Sequence, residues 1–288
     1  MLIFGASGFV GRELKTYFEG KGETVVGTYC SNPRPGLKPF DLRQPDLAAL
    51  VAERLTPQPF AIICSAATDM DRCNREWDRT YAVNVEGTIE LASQLQNAGV
   101  VPVFLSTDYV YDGSQGDYDE DAPTKPVLAY GRQKKEVEDF LLGTGRPYIV
   151  VRAARIYSLQ DADRTLLTSI IGSLRRSERI RMATDQIFNP SYVQDVCRAI
   201  DLLMTSHSFG CHNLGPEPSL SRFQLATLLK EQLEIKTGQI VPCLLADIPF
   251  GDRRPRDTSL SSKRFVQATG LEFTTIDESV ARLMSATS

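Results

Sequence analysis

The chain has 288 residues, and its 42% hydrophobic and 24% charged side chains are typical of a globular protein, which excludes a disordered or fibrous chain. The formal net charge of -4 argues against general nucleic-acid binding, since such binding needs a basic surface that displaces counterions from phosphates. No apolar run has membrane-spanning length and no basic leader is evident, so we expect a cytoplasmic protein that binds neither nucleic acid nor a membrane.

The sequence offers little for a metal ion or a disulfide. Its six cysteines include no CxxC pair, and only two histidines are present, His207 and His212. Cys211 and His212 are adjacent, but they lack the second pair of ligands that a zinc site needs. We therefore expect reduced thiols and no metal site.

Short apolar runs rich in β-branched residues alternate with helical patterns up to residue 155. Such runs, separated by helices, are typical of a parallel sheet that is buried on both faces. The pattern predicts an α/β fold with a doubly wound parallel sheet, that is, a Rossmann-like domain. The predicted strands are Leu2 to Phe4, Thr24 to Thr28, Phe60 to Cys64, Val100 to Leu105 and Tyr148 to Val151.

Beyond Arg155 the pattern becomes irregular, with prolines and short strand-like pieces between helical stretches. The predicted helices are Thr165 to Leu174, Val193 to Met204 and Phe223 to Leu233. We predict a dinucleotide-binding domain over residues 1–155, to which residues 182–210 return. Residues 156–181 and 211–288 are predicted to form a smaller, mixed α/β C-terminal lobe that binds the substrate.

A glycine-rich segment, GASGFVG from Gly5 to Gly11, follows the first predicted strand and leads into a helical pattern. Glycines permit a tight turn and a close backbone approach, so the helix N-terminus can face a pyrophosphate. An ordinary strand-to-helix turn is the alternative, but the GxxGxxG spacing is that of short-chain dehydrogenases. The predicted cofactor contacts here are Gly5, Ser7, Gly8, Phe9, Val10 and Gly11.

The end of the second predicted strand favours NADP(H) over NAD(H), which remains possible. An acidic residue usually binds the ribose hydroxyls of NAD at this point. The strand ends in Thr28-Tyr29-Cys30-Ser31, which contains no carboxylate. Ser31 and the nearby Arg34 could accommodate a 2′-phosphate instead. Alternatively, Arg34 is a solvated loop residue between Pro33 and Pro35.

Tyr130 and Lys134 are four positions apart at the start of a predicted helix that runs toward Leu142, so the phenol and the ammonium share one face. A neighbouring cation stabilises a phenolate, which would bring the pKa of the tyrosine toward neutrality. The same spacing also occurs by chance, with a half-buried tyrosine and a solvated lysine. Its position after the strand that ends at Leu105 favours catalysis, because parallel sheets bind ligands at strand C-termini. Ser106 or Thr107 could hold the substrate oxygen there, and we select Thr107.

These motifs together resemble the dTDP-4-dehydrorhamnose reductase family of the extended short-chain dehydrogenases. The matching segments are Gly5 to Gly11, Ser65 to Asp71, Asn84-Val85, Ser106 to Tyr111, Tyr130 to Lys134, Asn189 to Val193 and Arg253 to Pro255. The resemblance implies a catalytic triad of Thr107, Tyr130 and Lys134. It also implies cofactor contacts at Asp41, Leu42, Ala66, Ala67, Thr68, Asn84, Tyr130 and Lys134. The implied substrate contacts are Thr107, Asp108, Tyr109, Tyr130, Asn189, Arg253 and Arg254.

Several of these residues also have structural interpretations. Ala66 and Ala67 could simply pack a helix start, and Asn84 could cap or kink its helix. Arg253, Arg254 and Arg256 could form a solvated charged face, although guanidinium groups also suit phosphate oxygens.

The resemblance implies reduction of a nucleotide-linked 4-keto-6-deoxy sugar, with hydride from the nicotinamide and a proton from Tyr130. A 4,6-dehydratase is disfavoured because Asp108 is followed by Tyr109 rather than by glutamate. An epimerase remains an alternative, and so does a non-catalytic regulatory subunit, since the family also resembles the β subunit of methionine adenosyltransferase. The sequence does not identify the sugar or the base, and a homodimer is possible.

Overall fold

Within residues 1–51 and 59–287, which the computed structural model describes, seven parallel strands form a central sheet. The strands of the protein, in chain order, are β1 (Leu2–Phe4), β2 (Val26–Tyr29), β3 (Lys38–Pro39), β4 (Phe60–Ile63), β5 (Val101–Leu105), β6 (Ile149–Ala153), β7 (Ile156–Tyr157), β8 (Arg179–Ala183), β9 (Ile187–Phe188), β10 (Ser191–Tyr192), β11 (Gly210–Leu214), β12 (Leu220–Ser221) and β13 (Gln239–Cys243).

The helices connect these strands and cover the sheet. In chain order they are α1 (Phe9–Gly20), α2 (Leu47–Val51), α3 (Met70–Arg75), α4 (Trp77–Tyr81), α5 (Thr88–Asn97), α6 (Ala129–Gly143), α7 (Leu166–Arg175), α8 (Val193–Thr205), α9 (Arg222–Gln232), α10 (Lys263–Thr269) and α11 (Ile276–Thr287). A π-helix, Ala82–Gly87, joins α4 to α5.

The order of the sheet is β11-β6-β5-β4-β1-β2-β3. The chain moves outward in one direction from β1 through β2 and β3, and then in the other direction from β4. This reversal leaves a crevice at the carboxyl ends of β1 and β4, where doubly wound sheets bind their ligands. The architecture confirms the predicted Rossmann-like α/β fold, and each of the five predicted strands is present within two residues of its predicted bounds.

Apolar residues of the sheet point alternately to its two faces, and both faces are covered. On one face, Ile3 packs in the same cluster as Leu14 of α1 and Ile200 of α8. On the other face, Phe4 packs in the same cluster as Leu91 of α5 and residues of α6. Burial of a leucine or phenylalanine side chain contributes about 1.5–3 kcal/mol, so the two layers hold the strand ends in place.

A smaller lobe contains the helices α7, α9 and α11, whose apolar residues form a separate cluster. The parallel pair β8 and β13 belongs to this lobe. Two segments lie differently from the predicted division of the chain. The strand β11 forms the edge of the central sheet, and Phe265 of α10 packs in the core beneath that sheet. The remaining domain boundaries stay a prediction.

In the part of the chain that the structure describes, no helix has both the length and the apolar character needed to cross a bilayer.

Candidate active site

The predicted glycine-rich segment forms a tight turn between β1 and α1. Gly5 has a φ of +91°, which an L side chain rarely adopts, and its N–H donates to Thr28 Oγ1 at 3.1 Å. The N–H of Gly8 donates to the Gly5 carbonyl at 2.9 Å. A Cβ at Gly11 would lie 2.2 Å from the same carbonyl, so only glycine fits there. The first N–H groups of α1 have no intrahelical acceptor and are therefore available to an anion.

A cleft of about 470 Å³ lies at the carboxyl ends of β1, β2 and β4. It brings together eight of the predicted cofactor contacts: Gly5, Ser7, Gly8, Ser31, Asp41, Leu42, Ala66 and Ala67. The other predicted contacts are not among the residues that line this cleft: Phe9, Val10, Gly11, Arg34, Thr68, Asn84, Tyr130 and Lys134. Gly11 packs against the backbone of Gly5, and Asn84 accepts a hydrogen bond from the backbone of Ala67, so both contact residues that line the cleft.

Three arginines line the cleft, Arg43, Arg72 and Arg79, and the predicted Arg34 is not among them. Arg43 is the one in the loop that follows β3. Arg34 is exposed and is not part of the cleft lining, so the structure does not bring it to the cofactor site. The Nε of Arg43 lies 3.0 Å from both carboxylate oxygens of Asp41, and this ion pair lowers the pKa of Asp41. The prediction missed Arg43 because the two-residue strand β3, which brings this loop to the end of β2, has no detectable apolar pattern.

Asn84 holds the backbone behind the cleft from within the π-helix. Its Oδ1 accepts the N–H of Ala67 at 2.7 Å, and its Nδ2 donates to the Ala67 carbonyl at 2.9 Å. The same Nδ2 donates to Gln133 Oε1 at 2.8 Å, and Gln133 Nε2 donates to Thr80 Oγ1 at 3.0 Å. π-helical turns are rare and are frequent at functional sites. Asn84 thus acts by positioning Ala67, and Gln133, which the sequence did not indicate, joins this network to α6.

Lys134 is buried beneath the site. Its Nζ donates to the Leu105 carbonyl at the end of β5 at 2.8 Å and lies 4.4 Å from the centroid of the Phe104 ring. Burial lowers the pKa of Lys134 to about 8. Lys134 itself does not line the cleft, but Cys64, which is near enough to Lys134 to affect its pKa, does.

Tyr130 is half-buried, and Lys134 Nζ lies 5.8 Å from the centroid of its ring. The expected lowering of the tyrosine pKa is wrong for this geometry. Burial is the main cause that raises the pKa of Tyr130, and the proximity of Cys73, Asp108 and Tyr109 adds to it. The Lys134 ammonium donates to a backbone carbonyl and not to the phenol. A raised pKa keeps the phenol protonated, which is the form that can donate a proton.

A short 3₁₀-helix, Asp108–Val110, follows the end of β5, and Thr107 is its N-cap. Thr107 Oγ1 donates to Asp108 Oδ1 at 2.9 Å and accepts the N–H of Tyr109 at 3.2 Å. Thr258 donates to the other oxygen of Asp108, and burial raises the pKa of this carboxyl. Ser106 instead donates to the buried carboxylate of Glu138. Of the two hydroxyl candidates, Thr107 is therefore the one beside Asp108 and Tyr109.

Asn189 does not reach the site as predicted. It is 2% exposed, its Nδ2 donates to the Pro216 carbonyl at 2.9 Å, and its Oδ1 accepts the N–H of Leu260 at 2.6 Å. The nitrogen and the oxygen of the side-chain amide thus both bond to backbone groups. This geometry gives no support to a substrate contact.

The loop that contains the predicted substrate arginines lies against the start of α6. Asp252 Oδ2 accepts the N–H of Ala129 at 2.8 Å, next to Tyr130. Arg254 donates from Nη2 to Asp71 Oδ1 at 2.6 Å, while its Nη1 is buried without a partner. Arg253 is exposed. Both arginines line a cavity of about 660 Å³ between this loop and the segment that begins at Asp112.

Comparisons with known proteins show the family of the chain and the likeness of its fold. A family model described as RmlD substrate binding domain matches residues 1–288. The dTDP-4-dehydrorhamnose reductase of Mycolicibacterium smegmatis is 29% identical over 283 residues, which cover 93% of this chain and 80% of that protein. The β subunit of methionine adenosyltransferase 2 from Xenopus tropicalis is 25% identical over 259 residues, which cover 87% of this chain and 76% of that protein.

A crystal structure of the dTDP-4-dehydrorhamnose reductase of Bacillus anthracis, in complex with NADP, has the same fold. Its TM-score is 0.85 at 23% sequence identity, and the match covers 99% of this chain and 98% of that chain. At this identity the likeness concerns the fold alone.

Replacement of Asn84 with Ala should weaken the binding of a nicotinamide dinucleotide and lower the melting temperature. The variant loses two hydrogen bonds to Ala67 and one to Gln133 and leaves buried partners unsatisfied, at a cost of about 1–3 kcal/mol for each group. The dissociation constant for NADPH and thermal unfolding measure the two effects. Asn97→Ala, at an exposed position, is the matched control. Unchanged NADPH affinity in Asn84→Ala would contradict the positioning role.

Proposed function

Because the chain belongs to the RmlD substrate-binding domain family, we propose that it catalyses the NADPH-dependent reduction of a nucleotide-linked 4-keto-6-deoxy sugar. The observation that carries this proposal is the hydrogen bond from Lys134 to the Leu105 carbonyl at the end of β5, one helical turn from Tyr130. The lysine, the phenol of Tyr130 and the hydroxyl of Thr107 would then act together near the carboxyl end of β5. These are the groups that ketone reduction requires of the protein.

The cleft suits a dinucleotide in shape and chemistry. Glycines at positions 5, 8 and 11 leave the start of α1 open to a pyrophosphate, and a Cβ at two of them would meet backbone atoms at under 3.0 Å. Asp41 and Leu42 would contact the adenosine half, and Ala66 and Ala67 would allow the nicotinamide half to approach the ends of β1 and β4. When bound, NADPH would supply the hydride.

The protein's own groups would complete the reaction. Thr107 would turn its hydroxyl from Asp108 to the substrate carbonyl and hold the oxygen. Tyr130 would donate its proton to that oxygen as negative charge develops on it, and its raised pKa ensures that the proton is present. Lys134 would donate to the ribose hydroxyls of the cofactor and stabilise the phenolate that forms.

Arg43 is the group that we expect to recognise the 2′-phosphate of NADPH. Asp41 holds its guanidinium at the edge of the cleft, where a planar fork can bind two phosphate oxygens.

Replacement of Arg43 with Gln should raise the Michaelis constant for NADPH by about tenfold, because a charge-assisted hydrogen bond contributes about 1.5–3 kcal/mol. The constant for NADH, which has no 2′-phosphate, should change little. Initial rates with both cofactors measure the difference, and Arg34→Gln is the matched control. An equal effect on the two cofactors would contradict the assignment.

Replacement of Tyr130 with Phe should lower the turnover number for a dTDP-linked 4-keto-6-deoxy sugar by at least about 100-fold, because the proton donor is lost. NADPH affinity should remain within about twofold, since the phenyl ring still fills the site. Absorbance of NADPH and a binding titration give the two values, with Tyr148→Phe, just before the amino end of β6, as the control. Substantial retained turnover would show that another group donates the proton.

The ratio kcat/KM for NADPH should fall as the pH rises through about 8. Lys134 carries its charge below this pH and loses it above, whereas Tyr130 keeps its proton because its pKa is raised. Since kcat/KM reports the free protein, the alkaline limb should give the pKa of Lys134. A profile that stays flat to pH 10 would contradict the assigned protonation states.

A regulatory subunit without catalytic activity is the second candidate, because the methionine adenosyltransferase β subunit is a relative of similar identity. On this alternative the protein would bind NADPH but would oxidise it with no dTDP-, UDP- or GDP-linked 4-keto sugar. The wild-type protein in the assay above separates the two candidates.

A further inference from the structure

A buried ion pair lies one helical turn beyond Lys134. It joins Glu138 of α6 to Arg152 of β6, whose side chains are 5% and 6% exposed. The Arg152 Nε lies 3.2 and 3.1 Å from the two oxygens of Glu138, and the Arg152 Nη2 donates to Glu138 Oε2 at 2.7 Å. Burial alone would lower the pKa of Arg152, but the charge and the hydrogen bonds of Glu138 raise it overall, so the guanidinium stays charged.

Stability alone is a weak explanation for such a pair. Two charges that leave water lose their hydration, and well-packed apolar residues in their place are often as stable or more stable. The other hydrogen bonds of the pair indicate a further role. Ser106 donates to Glu138, and the Arg152 Nη1 donates to the hydroxyl of Tyr111 at 2.7 Å. Both partners belong to the segment from Ser106 to Tyr111, which we call the Thr107 turn.

The two contacts hold the Thr107 turn at both of its ends. At the first end, the N–H of Ser106 also donates to the Val151 carbonyl at 2.8 Å, beside Arg152. At the second end, Tyr111 is the C-cap of the short helix Asp108–Val110, and its hydroxyl donates to the Asp119 carbonyl at 2.8 Å. Thr107 lies between the two fixed ends. The direction of its hydroxyl therefore depends on side chains that do not themselves reach the substrate position.

Glu138 also acts on Lys134 through its charge. Burial is the main influence on the pKa of Lys134 and lowers it, whereas the charges of Cys64 at the carboxyl end of β4, of Glu138 and of Cys73 in α3 raise it. The Tyr130 ring faces the same ammonium at 5.8 Å. Glu138 thus favours the charged form of Lys134.

We propose that Glu138 and Arg152 are positioning residues, which act through Ser106 and Tyr111 to fix the Thr107 turn relative to Lys134. This inference rests on the proposed function, because it assigns the turn a role in ketone reduction. Reacting groups must be held closely, since a misplacement of about 1 Å can cost about 100-fold in rate. A rigid ion pair between a helix and a strand is suited to this task, because both elements are themselves held in the core.

The first test uses Ser106→Ala and Tyr111→Phe, each of which removes one contact and leaves the ion pair in place. Each variant should lower the turnover number by about tenfold or more, because one end of the Thr107 turn is released. The Michaelis constant for a dTDP-linked 4-keto-6-deoxy sugar and the dissociation constant for NADPH should stay within about twofold. The matched controls are Ser262→Ala and Tyr157→Phe, which remove buried hydroxyls bonded elsewhere.

The pattern of turnover among these variants decides the matter. Loss of turnover in both Ser106→Ala and Tyr111→Phe, with the controls unchanged, supports the proposal. Loss in Ser106→Ala alone overturns it, because Ser106 would then contact the substrate directly. Unchanged turnover in both variants also overturns it. An equal loss in the two controls would indicate a general effect on packing and would likewise overturn it.

The second test follows Lys134 without any turnover. In the double variant Glu138→Gln with Arg152→Gln, amides replace the two charges and can still form hydrogen bonds. Carbon-13 NMR of protein labelled at lysine Cε gives the titration of Lys134, and Lys134→Arg assigns the signal. Wild-type Lys134 should titrate at about 8, and in the double variant it should titrate at lower pH, because the charge of Glu138 is lost.

An unchanged titration of Lys134 in a folded double variant would overturn the proposal. If the double variant does not fold, the single variants decide, since they keep the ion pair. Failure of the proposed function is distinguishable, because the wild-type protein would then oxidise no NADPH with a keto sugar. The NMR titration does not depend on that reaction and would still report whether the pair acts on Lys134.

Discussion

The hydrogen bond from the Lys134 ammonium to the Leu105 carbonyl joins the two elements on which the candidate site depends. Leu105 ends strand β5 of the central sheet. Ser106 and Thr107 follow it and lead into the short helix Asp108–Val110. Lys134 lies in α6, one helical turn after Tyr130. Burial of an ammonium is costly, as its lowered pKa shows, and the carbonyl and the nearby Phe104 ring offset part of this cost. The triad is therefore assembled by one strand end and one helix.

The same helix is coupled to both ligand-binding regions. Gln133 connects it to Asn84 and so to the backbone at Ala67, where the cleft begins. At its N-terminus, the N–H of Ala129 donates to Asp252 in the loop that contains Arg253 and Arg254, which we propose as substrate contacts. α6 thus contacts the cofactor side and the substrate side at neighbouring positions. This arrangement is suited to a reaction in which a hydride and a proton are delivered to adjacent atoms.

Much of the central sheet could be predicted because buried parallel strands are continuous apolar runs, and Phe60–Ile63 is such a run. The two edge strands could not be predicted, because neither is a continuous apolar run. Lys38–Pro39 is too short, and Gly210–Leu214 contains the polar residues His212 and Asn213. Motifs at strand ends and helix starts were correctly brought together, because the doubly wound topology places those ends at one edge.

Residues whose position depends on tertiary packing were missed or misjudged. Arg43 reaches the cleft through β3, a strand of two residues without an apolar pattern. Helical spacing places Tyr130 and Lys134 on one face, but it does not show that the ammonium bonds to a carbonyl. The direction of the tyrosine pKa therefore could not be obtained from spacing alone.

The central claim is that this site transfers hydride to a sugar ketone, and isotope transfer tests it most directly. The protein would be incubated with NADPH deuterated at C4 of the nicotinamide, in each stereochemical form, and a dTDP-linked 4-keto-6-deoxy sugar. The product would be examined by NMR. The account predicts deuterium at sugar C4 from one stereochemical form only, together with a new hydroxyl at that carbon. Recovery of the unreduced ketone, or of a product without deuterium at C4, would contradict it.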